Sequence, residues 1–291
     1  MSELHTADGL TLYLHKQTLP AGPACGTVLI VHGLGEHAGR YDHVAAHLVR
    51  AGWAVARYDQ RGHGRSGGPR GAIARPDSLL ADLGAVLGRI KSSNPPGPLV
   101  LLGHSMGGLV AGRFVAEGLA PQPAPWWQAV DALVMSSPAL NPGMSAAQKL
   151  LLALAAPIAP NLALGNGLQP EWVCSDPAVV RAYVADPLNH DRVTPRLVRF
   201  IVDGGILVRQ QAPQWRIPTL LLYAGADRCV VATRQRCLCR RCAPRRAAGP
   251  VLRRPGARDL QRARASPGTG RPEPLAIPAD GNVKIGSAGL N

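Results

Sequence analysis

The sequence has no apolar run of the length that a membrane-spanning helix needs. Its longest apolar stretch, residues 150–158 (LLLALAAPI), is far shorter than the roughly 20 residues that cross a bilayer. The N-terminus, MSELHTADGL, also lacks the basic region and apolar segment of a secretory signal peptide. These absences predict a protein without a transmembrane segment, and we expect it in the cytoplasm.

Aromatic residues and histidine are absent from the last 60 residues, where the positive charge is concentrated. The formal net charge is +14, and residues 232–291 contribute most of it, with 12 Arg and 1 Lys against 3 acidic residues. Because this segment has no aromatic platforms and the rest of the chain is nearly balanced, we predict no specific binding of nucleic acid. Two kinds of sequence join near Val231, and we expect 232–291 to be an atypical, disordered tail.

Three of the six cysteines lie in this tail, in the sequence C-L-C-R-R-C at 237–242. The spacing is poor for a metal cluster, no fourth ligand is nearby and no histidine follows. The sequence therefore predicts no metal site and implies no cofactor.

Before the tail, short apolar β-branched runs alternate with Ala/Leu-rich segments of helical length. This alternation is typical of βαβ units in a parallel sheet. Strands are predicted at 27–31, 54–58, 99–102, 132–135 and 219–223, helices at 41–51, 78–91 and 107–118, and an N-terminal hairpin turn at Asp8-Gly9. The Pro-rich interval 139–208 interrupts the rhythm, so we expect a mostly helical cap there, inserted into an α/β core formed by 1–138 and 209–231.

The motif G-H-S-M-G at 103–107 follows a predicted strand and precedes a predicted helix. This arrangement is typical of a nucleophile elbow, in which a tight turn lifts a serine hydroxyl above the carboxyl end of a sheet. It predicts Ser105 as the nucleophile. The motif H-G-L-G at 32–35 also follows a strand and predicts a loop that presents backbone N–H groups to the same space. The candidate oxyanion donors are the amides of Leu34 and Met106.

Three motifs together resemble the monoacylglycerol lipase and lysophospholipase branch of the α/β-hydrolase family, which carries a serine aminopeptidase-like domain. They are H-G-L-G-E-H at 32–37 followed by Tyr41, Y-D-Q-R-G-H-G-R-S at 58–66 and G-H-S-M-G-G at 103–108. The resemblance spans roughly residues 10–231. It implies an α/β-hydrolase sheet with helices on both faces, an inserted cap and hydrolysis of monoacylglycerols. Lysophospholipids or other esters are alternative substrates.

The resemblance also suggests roles outside the reacting groups. We expect 58–66 to be a structural turn in which Asp59 and Arg61 pair locally, and the histidines at 37, 43, 47 and 63 to be surface or loop-bracing residues. The partner expected for the site is a small lipid ester, with transient contact between the cap and a membrane surface. Trp126, Trp127, Trp172 and the leucines of 150–154 fit an acyl pocket, although core packing explains them almost as well.

Asp227, on the turn after the strand at 219–223, is the candidate acid of a Ser-Asp-His triad. In this fold the histidine follows the acid along the chain, but the nine histidines end at His190. Without an imidazole to accept the Ser105 proton, the rate falls by about 10⁴–10⁶-fold in template enzymes. The chain is therefore either an impaired hydrolase or an inactive product that retains only binding of a ligand or partner.

A change of reading frame near 231–233 explains the missing histidine. When the codons are read from their second base, 234–244 allow the peptide G-S-A-A-F-A-A-A-A-P, an Ala-rich helix such as the family carries after its acid. In the same frame 257–263 allow H-E-I-F-N-E, which resembles the segment around the family's catalytic histidine. We therefore predict that the C-terminal part of the fold is missing or disordered in this chain.

Overall fold

The computed structural model describes residues 2–93, 97–141, 143–174 and 176–222. A parallel sheet forms its centre, with five strands among these residues in the order β4-β3-β5-β6-β9. The strands are β3 (Thr27–Val31), β4 (Ala54–Arg57), β5 (Leu99–His104), β6 (Ala132–Ser136) and β9 (Thr219–Leu222). All five predicted strands are present within two residues of their predicted bounds.

Both faces of this sheet are covered, which explains why its strands are apolar runs without alternation. All five residues of β3 are buried. Val28 and Ile30 face one layer, formed by α1 (Asp42–Arg50), while Leu29 and Val31 face the other. The second layer contains α2 (Ser78–Ser92), α3 (Met106–Glu117) and α6 (Pro195–Gln211). This arrangement confirms the predicted α/β-hydrolase architecture.

An antiparallel hairpin precedes the sheet, formed by β1 (Ser2–His5) and β2 (Thr11–Leu14) around the predicted turn. Its Asp8 accepts hydrogen bonds from Arg61 (2.9 Å for the shorter), and Asp82 of α2 accepts two more from the same guanidinium (2.6 Å each). Arg61 and Asp82 are both almost completely buried. The expectation that Arg61 pairs locally with Asp59 was therefore wrong, since its partners lie 53 and 21 residues away.

Between β6 and α6 the chain leaves the sheet in short elements. These are α4 (Ala146–Ile158), β7 (Leu164–Gly165), α5 (Pro177–Ala185) and β8 (Arg192–Val193), where β7 and β8 pair antiparallel. Ser145 and Gln148 form a capping box that starts α4. The last helix of the predicted cap, α6, packs against α3 and contributes Phe200 and Val208 to the core. The division of the chain at 138, 208 and 231 stays a prediction.

Candidate active site

Ser105 lies at the junction of β5 and α3 in a left-handed backbone conformation (φ 53°, ψ −119°). Such a conformation is strained for a residue with a side chain. A Cβ atom on Gly107 would lie 2.1 Å from the carbonyl oxygen of Val31, and one on Gly103 would lie 2.3 Å from that of Gly107. The turn can therefore form only with glycine on both sides of the candidate nucleophile. The Ser105 amide donates to the Ser136 carbonyl (2.9 Å), which fixes the turn to β6.

The loop after β3 lies beside this elbow because β3 and β5 are adjacent and parallel, with Val31 opposite Gly103. A Cβ atom on Gly33 would lie 3.3 Å from the Ser105 Cβ. Leu34 therefore follows a residue that is in contact range of the serine, and Met106 begins the helix that starts directly after it. The structure brings together three of the four residues that the sequence predicts for the site.

Glu36 holds the 33–37 loop from inside the protein. Its Oε1 accepts hydrogen bonds from the Gly33 amide (2.8 Å) and the Tyr41 hydroxyl (2.7 Å), and its Oε2 accepts one from Arg40 Nε (3.0 Å). The glutamate is completely buried. A Cβ atom on Gly33 would lie 2.7 Å from Glu36 Oε1, so the glycine leaves room for the carboxylate. The conformation of the loop thus depends on a charged group that the sequence analysis gave no role.

His32 and Asp59 also hold this loop, through hydrogen bonds to its first residue and to the residue that follows it. His32 Nδ1 donates to the Gly33 carbonyl (2.8 Å), and Nε2 accepts from the Gln60 amide (2.9 Å). Asp59 Oδ1 accepts from the Ala38 amide (2.9 Å). Burial would raise the pKa of Asp59, but the hydrogen bonds that it accepts outweigh burial and hold the pKa well below its ordinary value. The turn at 58–66 therefore supports the loop through an ionised carboxylate.

A segment of the predicted cap covers the loop from outside. His37 Nε2 donates to Asp186 Oδ2 (2.9 Å), and the Gly35 carbonyl accepts from the His190 amide (3.0 Å) and the Tyr183 hydroxyl (3.4 Å). No sequence signal pointed to these contacts, because they join residues about 150 positions apart. This segment therefore adds three hydrogen bonds to those that hold the loop that carries Leu34.

His190 is the first alternative to examine for the missing base. Its ring packs against that of His63, with centroids 4.6 Å apart, and its Nδ1 accepts a hydrogen bond from the Arg192 amide (3.1 Å). Burial, together with the charge of Arg70, lowers the pKa of His190 to about 4. A group with this pKa is a weak base at neutral pH. Asp227, the predicted acid, lies outside the described residues.

Two of the three tryptophans expected near an acyl pocket, Trp126 and Trp127, pack against the core. Trp126 packs against Phe114 of α3 (centroids 5.7 Å apart), and Trp127 Nε1 donates to the Phe114 carbonyl (3.0 Å). Both are partly buried and pack against the buried cluster on the α2 and α3 face of the sheet. Within the described residues no group of three or more His, Cys, Asp and Glu side chains has the geometry to hold a metal ion.

Comparison with known proteins gives a consistent result. The family model described as serine aminopeptidase, S33, matches residues 22–248. A monoacylglycerol lipase of Mycolicibacterium smegmatis is 35% identical over 216 residues, which cover 73% of this chain and 74% of that protein. The monoglyceride lipase of Rattus norvegicus is 30% identical, with 78% and 73% covered. The crystal structure of Paleococcus ferrophilus monoacylglycerol lipase superposes with a TM-score of 0.72 at 30% identity, covering 83% of this chain and 88% of that one.

Proposed function

Because the chain belongs to the serine aminopeptidase S33 family of hydrolases, we propose that it is built to cleave monoacylglycerols through an acyl-enzyme on Ser105. The observation that carries the proposal is the strained elbow at Ser105 beside the loop of Leu34. Strained backbone in a residue with a side chain is typical of functional sites. The similarity to monoacylglycerol lipases supports the substrate class.

In the proposed mechanism the Ser105 hydroxyl attacks the ester carbonyl. The Leu34 and Met106 amides donate to the oxygen that becomes negative, and the N-terminus of α3 adds a favourable dipole. Collapse of the tetrahedral intermediate breaks the ester bond, and glycerol leaves with the proton that the Ser105 hydroxyl lost. Water then hydrolyses the acyl-enzyme and releases the fatty acid. Asp227 is the proposed acid, and the histidine that it would orient is absent from the sequence after it.

The exposed apolar residues of the cap support a lipid substrate. Leu150, Leu151, Leu154 and Ile158 on α4 are each more than half exposed. An apolar helical surface of this kind inserts shallowly at a lipid interface. Across the described segments, no helix has the length and apolar character needed to span a bilayer. We propose that α4 makes transient contact with membranes, where monoacylglycerols are dissolved.

A fluorophosphonate probe tests the nucleophile. We expect slow labelling of the full chain, because an oxyanion site and pocket without a base leave about 10³–10⁴-fold acceleration over water in triad deletions. Ser105→Ala should remove the label, whereas Ser92→Ala, at an exposed serine near the end of α2, should keep it. Labelling that survives Ser105→Ala would remove the central assignment.

Rebuilding the shifted reading frame after Val231 tests the loss of the base. The rebuilt chain should hydrolyse monoacylglycerol, and the chain as it stands should not do so at a typical enzymatic rate of about 1–10³ s⁻¹. Assays with a lysophospholipid in parallel separate the two substrate classes. An uninterrupted gene across codons 225–265 that matches this sequence would contradict the frameshift.

A further inference from the structure

The Leu34 amide is a backbone donor that has no hydrogen-bond partner among the described residues. It belongs to the peptide between Gly33 and Leu34, next to the glycine at which a Cβ atom would lie 3.3 Å from the Ser105 Cβ. This peptide is trans, so its C=O and N–H lie in one plane and point in opposite directions. The direction of the Leu34 N–H therefore depends on what holds the Gly33 carbonyl.

Gly33 does not fix this direction by itself. Its own amide donates to Glu36 Oε1 (2.8 Å), which holds the N-terminal side of the residue. The peptide that follows can rotate more freely than after any other residue, because glycine has no side chain to restrict it. Rotation by half a turn would exchange the positions of the Gly33 C=O and the Leu34 N–H. A group that binds the carbonyl is needed to keep one orientation.

The His32 ring supplies this group. Its Nδ1 lies 2.8 Å from the Gly33 carbonyl oxygen, and because a carbonyl can only accept, Nδ1 carries the proton. In the rotated peptide the Leu34 N–H would face this N–H, donor against donor. His32 therefore favours one orientation through the bond that it makes and disfavours the other. Its hydrogen bond to the C=O also polarises the peptide, which strengthens the Leu34 N–H as a donor.

Gln60 determines which nitrogen of His32 carries the proton. Its amide donates to His32 Nε2 (2.9 Å), so this nitrogen carries none. Its side-chain amide donates to the His32 carbonyl (2.7 Å). Burial lowers the pKa of His32, so the ring is neutral at neutral pH. In the other neutral tautomer Nε2–H would meet the Gln60 N–H, and the bare Nδ1 would attract the Leu34 N–H of the rotated peptide.

We propose that His32 is a positioning residue for the oxyanion site, and that Gln60 selects the tautomer that directs the Leu34 N–H at the substrate. Two hydrogen bonds in series then connect the turn at 58–66, expected from the sequence to be only structural, with the proposed reaction. His32 acts through the Gly33 carbonyl and does not touch the reacting atoms. The inference rests on the proposed function, because it takes Leu34 as an oxyanion donor.

Long-range ¹⁵N NMR of the unmodified full chain tests the tautomer. We expect a proton on His32 Nδ1, none on Nε2, and a scalar coupling through the hydrogen bond between the Gln60 amide nitrogen and Nε2. A proton on Nε2, or a doubly protonated ring at neutral pH, would overturn the inference. This measurement needs neither activity nor a variant that folds.

Two substitutions of His32 test the positioning role. His32→Asn can place a side-chain N–H near the position of Nδ1, whereas His32→Leu fills similar space without a donor. Fluorophosphonate labelling of Ser105 at several probe concentrations gives a maximal rate constant and an apparent affinity. His32→Leu should lower the rate constant about 10–100-fold, approaching the roughly 10²–10³-fold cost of losing an oxyanion donor, and leave the affinity within about twofold. His32→Asn should recover most of the rate.

The possible outcomes separate this inference from the proposed function. His47→Leu, at an exposed position, is the control and should label like the unmodified chain. Equal rate constants for His32→Leu and His32→Asn, or a loss confined to affinity, would contradict the positioning role even if both variants melt at a lower temperature. Absence of any Ser105 label in the unmodified chain would contradict the proposed function itself, and with it the role of His32.

Discussion

Replacement of Glu36 by alanine should destabilise the protein more than any exposed charge substitution. The carboxylate is completely buried and accepts from Gly33, Tyr41 and Arg40. Glu36→Ala leaves the Gly33 amide and the Tyr41 hydroxyl without this buried acceptor. It also removes the negative charge next to a guanidinium that is only 10% exposed.

The expected loss follows from these contacts. A buried donor without an acceptor costs about 1–3 kcal/mol. Because neighbouring losses are not additive, we expect the free energy of unfolding to fall by about 3–5 kcal/mol, a large part of the 5–15 kcal/mol typical of a domain. Glu36→Gln keeps a carbonyl oxygen for Gly33 and Tyr41 but turns an N–H group towards Arg40, so its loss should be about 1–2 kcal/mol.

Urea denaturation followed by tryptophan fluorescence measures both variants. Glu117→Ala is the matched control, because Glu117 and Arg113 form an i,i+4 pair that is partly exposed and longer (3.4 Å), worth less than about 1 kcal/mol. The rate of fluorophosphonate labelling at Ser105 should fall in the order wild type, Gln variant, Ala variant. The reasoning is refuted if Glu36→Ala and Glu117→Ala unfold at the same urea concentration.

Three further predictions follow from buried groups. Arg61→Met should lower the free energy of unfolding by about 3–5 kcal/mol, because it leaves the buried Asp82 carboxyl without its ion-pair partner, and Arg61→Met with Asp82→Leu should recover most of it in urea titrations. The lowered pKa of Asp59 stabilises the fold above the ordinary aspartate pKa of about 3.9, so stability should fall as the pH drops below it, and Asp59→Asn should flatten that dependence. Gly107→Ala should prevent labelling of Ser105, whereas Gly88→Ala, with open space around its Cβ, should raise the melting temperature.

The strands and the elbow were predictable from sequence because their causes are local. Residues 27–31 form an apolar run since both faces of β3 are buried, and such a run is visible without knowledge of its neighbours. The elbow is visible for a similar reason, as its two glycines are required by backbone contacts at Gly103 and Gly107.

The groups that support the site were not predictable, because their partners lie far apart along the chain. Arg61 looked like a local partner of Asp59, but it joins the N-terminal hairpin to α2 through Asp8 and Asp82. Asp186 had no motif to mark it, although it holds His37. Trp126 is a residue type that suits a ligand pocket. Only its contact with Phe114 of α3 shows that it packs against the core.

The left-handed backbone at Ser105 sets selection for stability against selection for activity. A side chain in such a conformation costs about 1–3 kcal/mol, whereas glycine adopts it freely. A population of variants screened only for thermal resistance should therefore accumulate Ser105→Gly, while one screened for ester cleavage should keep the serine. In a lineage that has lost the base, no selection for activity retains the strained serine. Ser105 is then expected to be one of the first functional residues to be replaced.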